Sequence, residues 1–199
     1  MFPKTFQKLI DKFTELPSIG PKMAERLVLF LFKQSKEDLL SFSEELRNLA
    51  TNLTFCEKCN HIAEEGGLCQ MCSDVSRDTS LLCIVEDPLD VISIEKTKAY
   101  KGLYYVLGGS LSVVNEQEIK KLNLNKLQQR LNNENIKEII IATNPTTDGD
   151  TTAMYLHRIL KDTGVTITRL GRGMPTGGDI EYADEITISS ALDGRKKME

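Results

Sequence analysis

Apolar positions at the start of the chain fall on a helical period. Phe6, Leu9, Ile10 and Phe13 stand at i, i+3, i+4 and i+7, one face of a first helix. Leu16-Pro17-Ser18-Ile19-Gly20-Pro21 breaks that period with two prolines and a glycine and predicts a tight turn. Pro21 suits the first turn of a second helix, which runs to about Lys33. Ser35, three residues before Asp38, predicts the start of a third helix through about Leu53. The next stretch, residues 55–80, is polar and rich in cysteine, with no sustained period. From residue 81 the pattern changes again. Strand-like runs at Leu81–Glu86, Leu103–Leu107, Glu138–Thr143 and Val165–Leu170 alternate with helical segments. The helices are expected after Pro88, over Glu116–Leu131 and over Thr151–Lys161. Strand–helix alternation predicts an α/β unit with a mainly parallel sheet flanked by helices. Segments 145–150 and 171–178 are Gly-, Pro- and Thr-rich loops after strands, where ligands of open α/β sheets bind. The expected division is 1–54 helical, 55–80 cysteine module, 81–172 α/β domain and 173–199 a C-terminal extension with a Gly-rich loop, helix and strand.

Composition supports a folded chain: 199 residues, 40% hydrophobic and 27% charged. No stretch approaches the roughly 18–20 apolar residues of a membrane span. The first residues lack the apolar core of a secretory signal, so a soluble intracellular protein is expected. The net charge of −4 argues against nucleic acid until its distribution is read. Residues 1–35 carry +3, residues 36–80 carry −5 and the remainder −2.

Cys56-x2-Cys59 and Cys69-x2-Cys72 are nine residues apart. Each pair can place two thiolates on one ion, and Gly66-Gly67 allows the loop to fold back. Four soft thiolates suit one structural Zn2+ per chain and leave no open position for catalysis. Two disulfides or a redox CxxC are the alternatives, and an intracellular chain disfavours disulfides. His61 can compete as a ligand. Cys83, in an apolar run, is expected to be a buried small side chain.

The turn Leu16-Pro17-Ser18-Ile19-Gly20-Pro21-Lys22 resembles a helix-hairpin-helix. Gly20 lets a phosphate approach the backbone, and the following helix presents its positive end. Lys22 and Arg26 share a helix face at i, i+4, and Lys33 lies about 20° away on the wheel. Such a row suits a nucleic-acid backbone without reading sequence. A solvated basic face is the plain alternative. The unbroken run Leu27–Phe32 asks for burial on several sides, which predicts a subunit interface.

Glu86 ends the first strand of the α/β part, and Asp148-Gly149-Asp150 follows the third. Carboxylates gathered at a sheet edge repel unless a cation such as Mg2+ neutralises them. This resembles the Toprim fold of topoisomerases and bacterial primases, although acidic residues also favour helix N-termini for their dipole. There is no GxxxxGK[ST] loop and no GxSxG elbow. His157 is expected on a helix surface or packed, not acting as a base.

The order of hairpin, four cysteines and Toprim-like domain resembles the RecR family of bacterial recombination mediators. The resemblance covers essentially the whole chain. It rests on Leu16–Leu27, the four cysteines, Ile84-Val85-Glu86-Asp87-Pro88, Ala142–Ala153 and Arg172–Glu185. It implies a cytoplasmic, nucleoid-associated protein without catalytic activity. Such a protein acts with RecO and RecF to load RecA onto single-stranded DNA. It implies a ring-shaped homotetramer that encircles single- or double-stranded DNA, with Gly20, Lys22 and Arg26 as the contacts. It also implies a Toprim part that meets RecO and RecF, and a Walker-B-like region over 173–199. Many members carry Glu-Gly-Glu where this chain has Asp148-Gly149-Asp150, closer to catalytic Toprim enzymes. The alternative function is therefore a Mg2+-dependent Toprim nuclease or ribonuclease using Glu86, Asp148 and Asp150.

Overall fold

The hairpin forms because the two apolar stripes at its start face each other. In the computed structural model, which describes residues 2–197, α1 (Lys4–Thr14) and α2 (Pro21–Phe32) bury Ile10, Ala24 and Val28 between them. Phe6, Phe13 and Ile19 pack around that contact. The turn closes through Leu16 N–H to the Phe13 carbonyl (3.1 Å) and Ile19 N–H to the Leu16 carbonyl (3.2 Å). Ser18, not a glycine, takes the left-handed conformation here, with φ 62°. A third helix, α3 (Lys36–Asn52), is capped by Ser35, whose Oγ accepts from Asp38 N–H at 3.0 Å. α3 buries no residue. These helices make up one compact unit, Met1–Leu53, and the rest of the chain, Thr54–Glu199, makes up a second.

After α3 comes a small two-stranded sheet, β1 (Leu53–Phe55) and β2 (Ile62–Glu64), followed by the single turn α4 (Gln70–Ser73). The main sheet is built from β3 (Asp78–Val85), β4 (Gly102–Val106), β5 (Glu138–Ile141) and β6 (Thr166–Arg169). Their spatial order is β4-β3-β5-β6, and every pairing is parallel. Parallel neighbours require crossovers, and helices supply them. They are α5 (Pro88–Glu95), α6 (Glu116–Lys121) with α7 (Leu124–Asn133), and α8 (Thr147–Leu160). A short 3-10 turn, Ile180–Tyr182, and α9 (Glu185–Asp193) follow β6. The fold is α/β, as the alternation of runs predicts.

The strands alternate strictly. Leu82, Ile84, Leu103, Tyr105, Ile139 and Ile141 point into the larger core. Leu127 of α7 and Ala153, Leu156 and Leu160 of α8 belong to the same core. Cys83, Val85, Tyr104 and Val106 form a second core with Val91 of α5. Cys83 is buried there as a small apolar side chain.

Three elements depart from the expected pattern. The helix expected over 116–131 is two helices, broken at Leu122-Asn123. Tertiary bonds hold the break: Asn123 donates from its backbone N–H (3.1 Å) and its side-chain Nδ2 (3.2 Å) to the Leu107 carbonyl. The Tyr105 hydroxyl donates in turn to the Asn123 carbonyl. α8 starts at Thr147, not Thr151, because Thr146 Oγ1 accepts from Gly149 N–H at 3.1 Å and so caps it. The segment expected as the loop 145–150 is therefore mostly the first turn of a helix. Finally, the expected strand in the C-terminal extension is absent among the described residues.

Candidate metal centre and nucleic-acid interface

The cysteine module is assembled by its backbone before any ion is considered. Asn60 takes φ 62°, which lets Cys56 and His61 face one another; Cys56 N–H donates to the His61 carbonyl at 2.7 Å. Cys69 caps α4, so that Cys72 returns to the same side one turn later. The four ligand sulfurs lie within 4.8 Å of one another, and the Cys59 and Cys69 sulfurs are 3.3 Å apart. A tetrahedral Zn2+ with Zn–S bonds of about 2.3 Å needs sulfur–sulfur edges of about 3.8 Å, so the donor set fits one zinc. Cys56, Cys59 and Cys69 are buried and Cys72 is half-buried. A lone thiolate in this cluster draws S–H bonds from its neighbours. Hydrogen bonds from Cys59 and Cys72 hold Cys69 low, while donating to Cys69 pushes Cys59 up. Cys56, Cys59, Cys69 and Cys72 would hold a divalent ion as four thiolates, which would remove that conflict. His61 is not part of the cluster; burial lowers its pKa.

The module is fastened to the edge of the main sheet. β4 is an outer strand, and both the N–H and the carbonyl of its last residue are gripped. Val106 N–H donates to the Cys59 carbonyl (2.9 Å), and Asn60 Nδ2 donates to the Val106 carbonyl (3.2 Å). One turn of α7 completes the fastening. Arg130, buried, donates to the Tyr104 carbonyl of β4 (2.7 Å) and pairs with Glu134 (2.9 Å). Lys58, inside the first CxxC, pairs with the other oxygen of Glu134 at 2.9 Å. Burial raises the Glu134 pKa, but hydrogen bonds from Arg130 and Lys58 outweigh it and hold the carboxyl low. Asn60 follows Cys59 directly, whereas Arg130 and Glu134 carry no local signal and only the fold brings them to the cysteines.

The acidic residues past the carboxyl ends of β3 and β5 are not gathered. Glu86 is buried just past β3 and both its oxygens are engaged, by Asn144 N–H (3.0 Å) and Asn144 Nδ2 (2.7 Å). Asp150, in the first turn of α8, pairs with Arg169 at 2.5 Å and also with Arg172. Arg172 first, then Arg169, lowers its pKa. Asp148 is exposed. Among the described residues, the four cysteines form the only group of three or more such side chains whose ligand atoms converge. Between the two aspartates, Gly149 is required by packing. A Cβ there would stand 2.0 Å from the Asn144 carbonyl oxygen and 2.9 Å from Glu86 Oε1. Gly149→Ala is expected to cost about 3 kcal/mol, and to lower the Tm by roughly 6–12 °C in a thermal melt.

In the hairpin, Gly20 precedes α2 with φ −83°, and no atom lies within 4 Å of where a Cβ would stand. Neither strain nor crowding calls for glycine. What it leaves is bare backbone at the surface, beside the N-terminal end of α2. Lys22 and Arg26 are exposed beside it and line one open groove with Gly20, Pro21, Met23 and Glu25. Among the described residues neither cation forms an ion pair. The hydrophobic run of α2 is covered on one side only: Val28 is buried, but Phe30 is 62% and Phe32 73% exposed.

Comparison with known families follows the same order along the chain. A model described as RecR, helix-hairpin-helix, matches residues 6–50. A Toprim domain model matches residues 80–171, and one described as RecR, C-terminal, matches residues 173–196. The chain belongs to the RecR family. The four RecR-type features thus sit where the geometry puts them: the basic hairpin in the first match, the parallel sheet in the second, the Gly-rich segment and α9 in the third. The cysteine cluster lies between the first two matches. No helix of this RecR chain is long and apolar enough to cross a membrane among the described residues.

Proposed function

We propose that this protein is a non-enzymatic DNA-binding mediator of recombinational repair. It acts with RecO and RecF to promote RecA loading on single-stranded DNA. The observation that carries the proposal is the hairpin: a RecR helix-hairpin-helix match whose Lys22 and Arg26 stand exposed beside bare backbone at a helix N-terminus. Phosphates meet cations, amides and the positive dipole end in one place. In this reading residues 1–54 contact DNA and 55–80 hold one structural zinc. Residues 81–172 and 173–199 present partner surfaces.

The +3 arm of an acidic chain grips DNA best in several copies. The exposed Leu29, Phe30 and Phe32 of α2, and Leu40, Leu46 and Leu49 of α3, supply the apolar surface such an assembly would bury. The proposed form is a homotetrameric ring around DNA. Light scattering of the pure protein, with and without DNA, is expected to give a mass of several chains; a monomer throughout would sink the ring.

The direct test is Lys22→Ala with Arg26→Ala in a salt titration of DNA binding. Two lost phosphate contacts per chain should flatten the slope of log K against log salt by about 0.9 each on duplex DNA. Binding indistinguishable from wild type at low salt would remove the hairpin as the contact. Incubating the same preparations with labelled DNA and RNA plus Mg2+ or Mn2+ separates mediator from nuclease. Cleavage that Asp148→Asn abolishes would favour the enzyme.

A further inference from the structure

A catalytic Toprim edge needs carboxylates free to receive Mg2+, and the residues of this edge do not fit one. Mg2+ demands near-octahedral oxygen ligands at about 2.0–2.1 Å and gives up its waters reluctantly. Both oxygens of Glu86 already accept from Asn144, one from its backbone and one from its side chain. Asp150 Oδ1 accepts from Arg169 and Arg172, and its Oδ2 from Arg172 at 3.2 Å. Asp148 points its charge to solvent, and the three carboxylates do not converge among the described residues.

The two arginines are placed by the fold, not by local sequence. Arg169 is the last residue of β6, and Arg172 lies three residues further, where the chain has left the sheet. Asp150 belongs to α8, the helix that precedes β6. One carboxylate therefore ties the helix to both the strand end and the segment beyond it. Two guanidinium groups also supply the charge of one divalent cation.

We infer that Arg169 and Arg172 occupy the place of the divalent cation on Asp150, so that this Toprim carboxylate anchors the chain leaving β6 and excludes Mg2+. A guanidinium is suited to the task. It stays protonated at every accessible pH and reaches a carboxylate through a planar fork. For Mg2+ to enter, it must break charge-assisted hydrogen bonds and sit beside two like charges. An exposed ion pair alone stabilises little. Here all three side chains are between 31% and 41% exposed, and the carboxylate is shared by two donors. The inference is independent of the DNA-binding proposal, since it concerns other residues and another ligand.

Mn2+ titration followed by electron paramagnetic resonance, on the full zinc-loaded chain, tests it. Wild type is expected to show no Mn2+ binding that Asp150→Asn removes. The double variant Arg169→Ala, Arg172→Ala is expected to bind Mn2+, and the added Asp150→Asn to abolish that binding. Wild-type binding that depends on Asp150 overturns the inference. So does a double variant that folds, by circular dichroism, yet gains no Mn2+. Hydrogen exchange stands without the double variant. In Asp150→Asn, amides over 169–178 should exchange about tenfold faster, the factor of one charged hydrogen bond lost. In wild type, Mg2+ should leave them unchanged. Unchanged exchange in Asp150→Asn, or acceleration of wild type by Mg2+, overturns the anchor.

Discussion

Cys59→Ser is expected to abolish zinc binding and unfold residues 54–76 while leaving the helical hairpin intact. Metal analysis of desalted, reduced protein should fall from one zinc per chain to nearly none. Hydrogen exchange over the module should rise to that of an open chain. The effect is large because the segment has almost no apolar core of its own. Its buried apolar content is Ala63 and the cysteines themselves, with Met71 at the margin. Metal binding of the order of 10–16 kcal/mol, typical of small zinc modules, is then most of its folding free energy. Chelation of the wild type should reproduce the variant. Cys72→Ser should be milder than Cys59→Ser, because Cys72 is half-buried and water can take its place on the ion. If freshly reduced wild type holds no zinc, the four-thiolate centre is refuted.

The cysteine spacing made that centre legible before any fold was known. The same holds for the hairpin, whose period and Pro-Ser-Ile-Gly-Pro turn fix its two helices, and for the alternating strands. Each of these is a pattern carried by one continuous stretch of sequence or repeated along it. What escaped has no such pattern. The break between α6 and α7 depends on the Leu107 carbonyl, sixteen residues before Asn123. The early start of α8 depends on one threonine cap that competes with Pro145 for the reading of the same loop. Asp150 looked like half of a metal pair because its partners, Arg169 and Arg172, are set by the crossover to β6. Nothing in the sequence around Arg130 marks it; it is buried where it donates to the Lys58 and Tyr104 carbonyls.

That burial underlies the second large prediction. Arg130→Ala should destabilise the second unit by about 3–5 kcal/mol, the usual cost of stripping one partner from a buried ion pair. The Tyr104 carbonyl loses its 2.7 Å donor, and Glu134 is left with Lys58 alone. Arg130→Lys should not rescue it, because one ammonium cannot reach a carbonyl and a carboxylate as a fork does. The deficit should depend on pH. In wild type the folded-state pKa of Glu134 is depressed, so its contribution is complete above the ordinary carboxylate range. It is lost as pH falls through the folded value. Wild type and variant should therefore differ most at neutral pH and draw together below about pH 4. Urea unfolding at both pH values measures it; a constant difference would mean the loss is packing, not charge.

The grip of Cys59 and Asn60 on Val106 also has a direction in time. The chain is made from its N-terminus, so all four cysteines leave the ribosome before β3 and β4 exist. Zinc can close the module while the strand it will hold is still unsynthesised. The finished module then offers the Cys59 carbonyl and the Asn60 amide to β4 as a ready template. β4 is an outer strand with no neighbour on that side to align it. A fastening made 46 residues upstream thus adds to the register that pairing with β3 gives this strand.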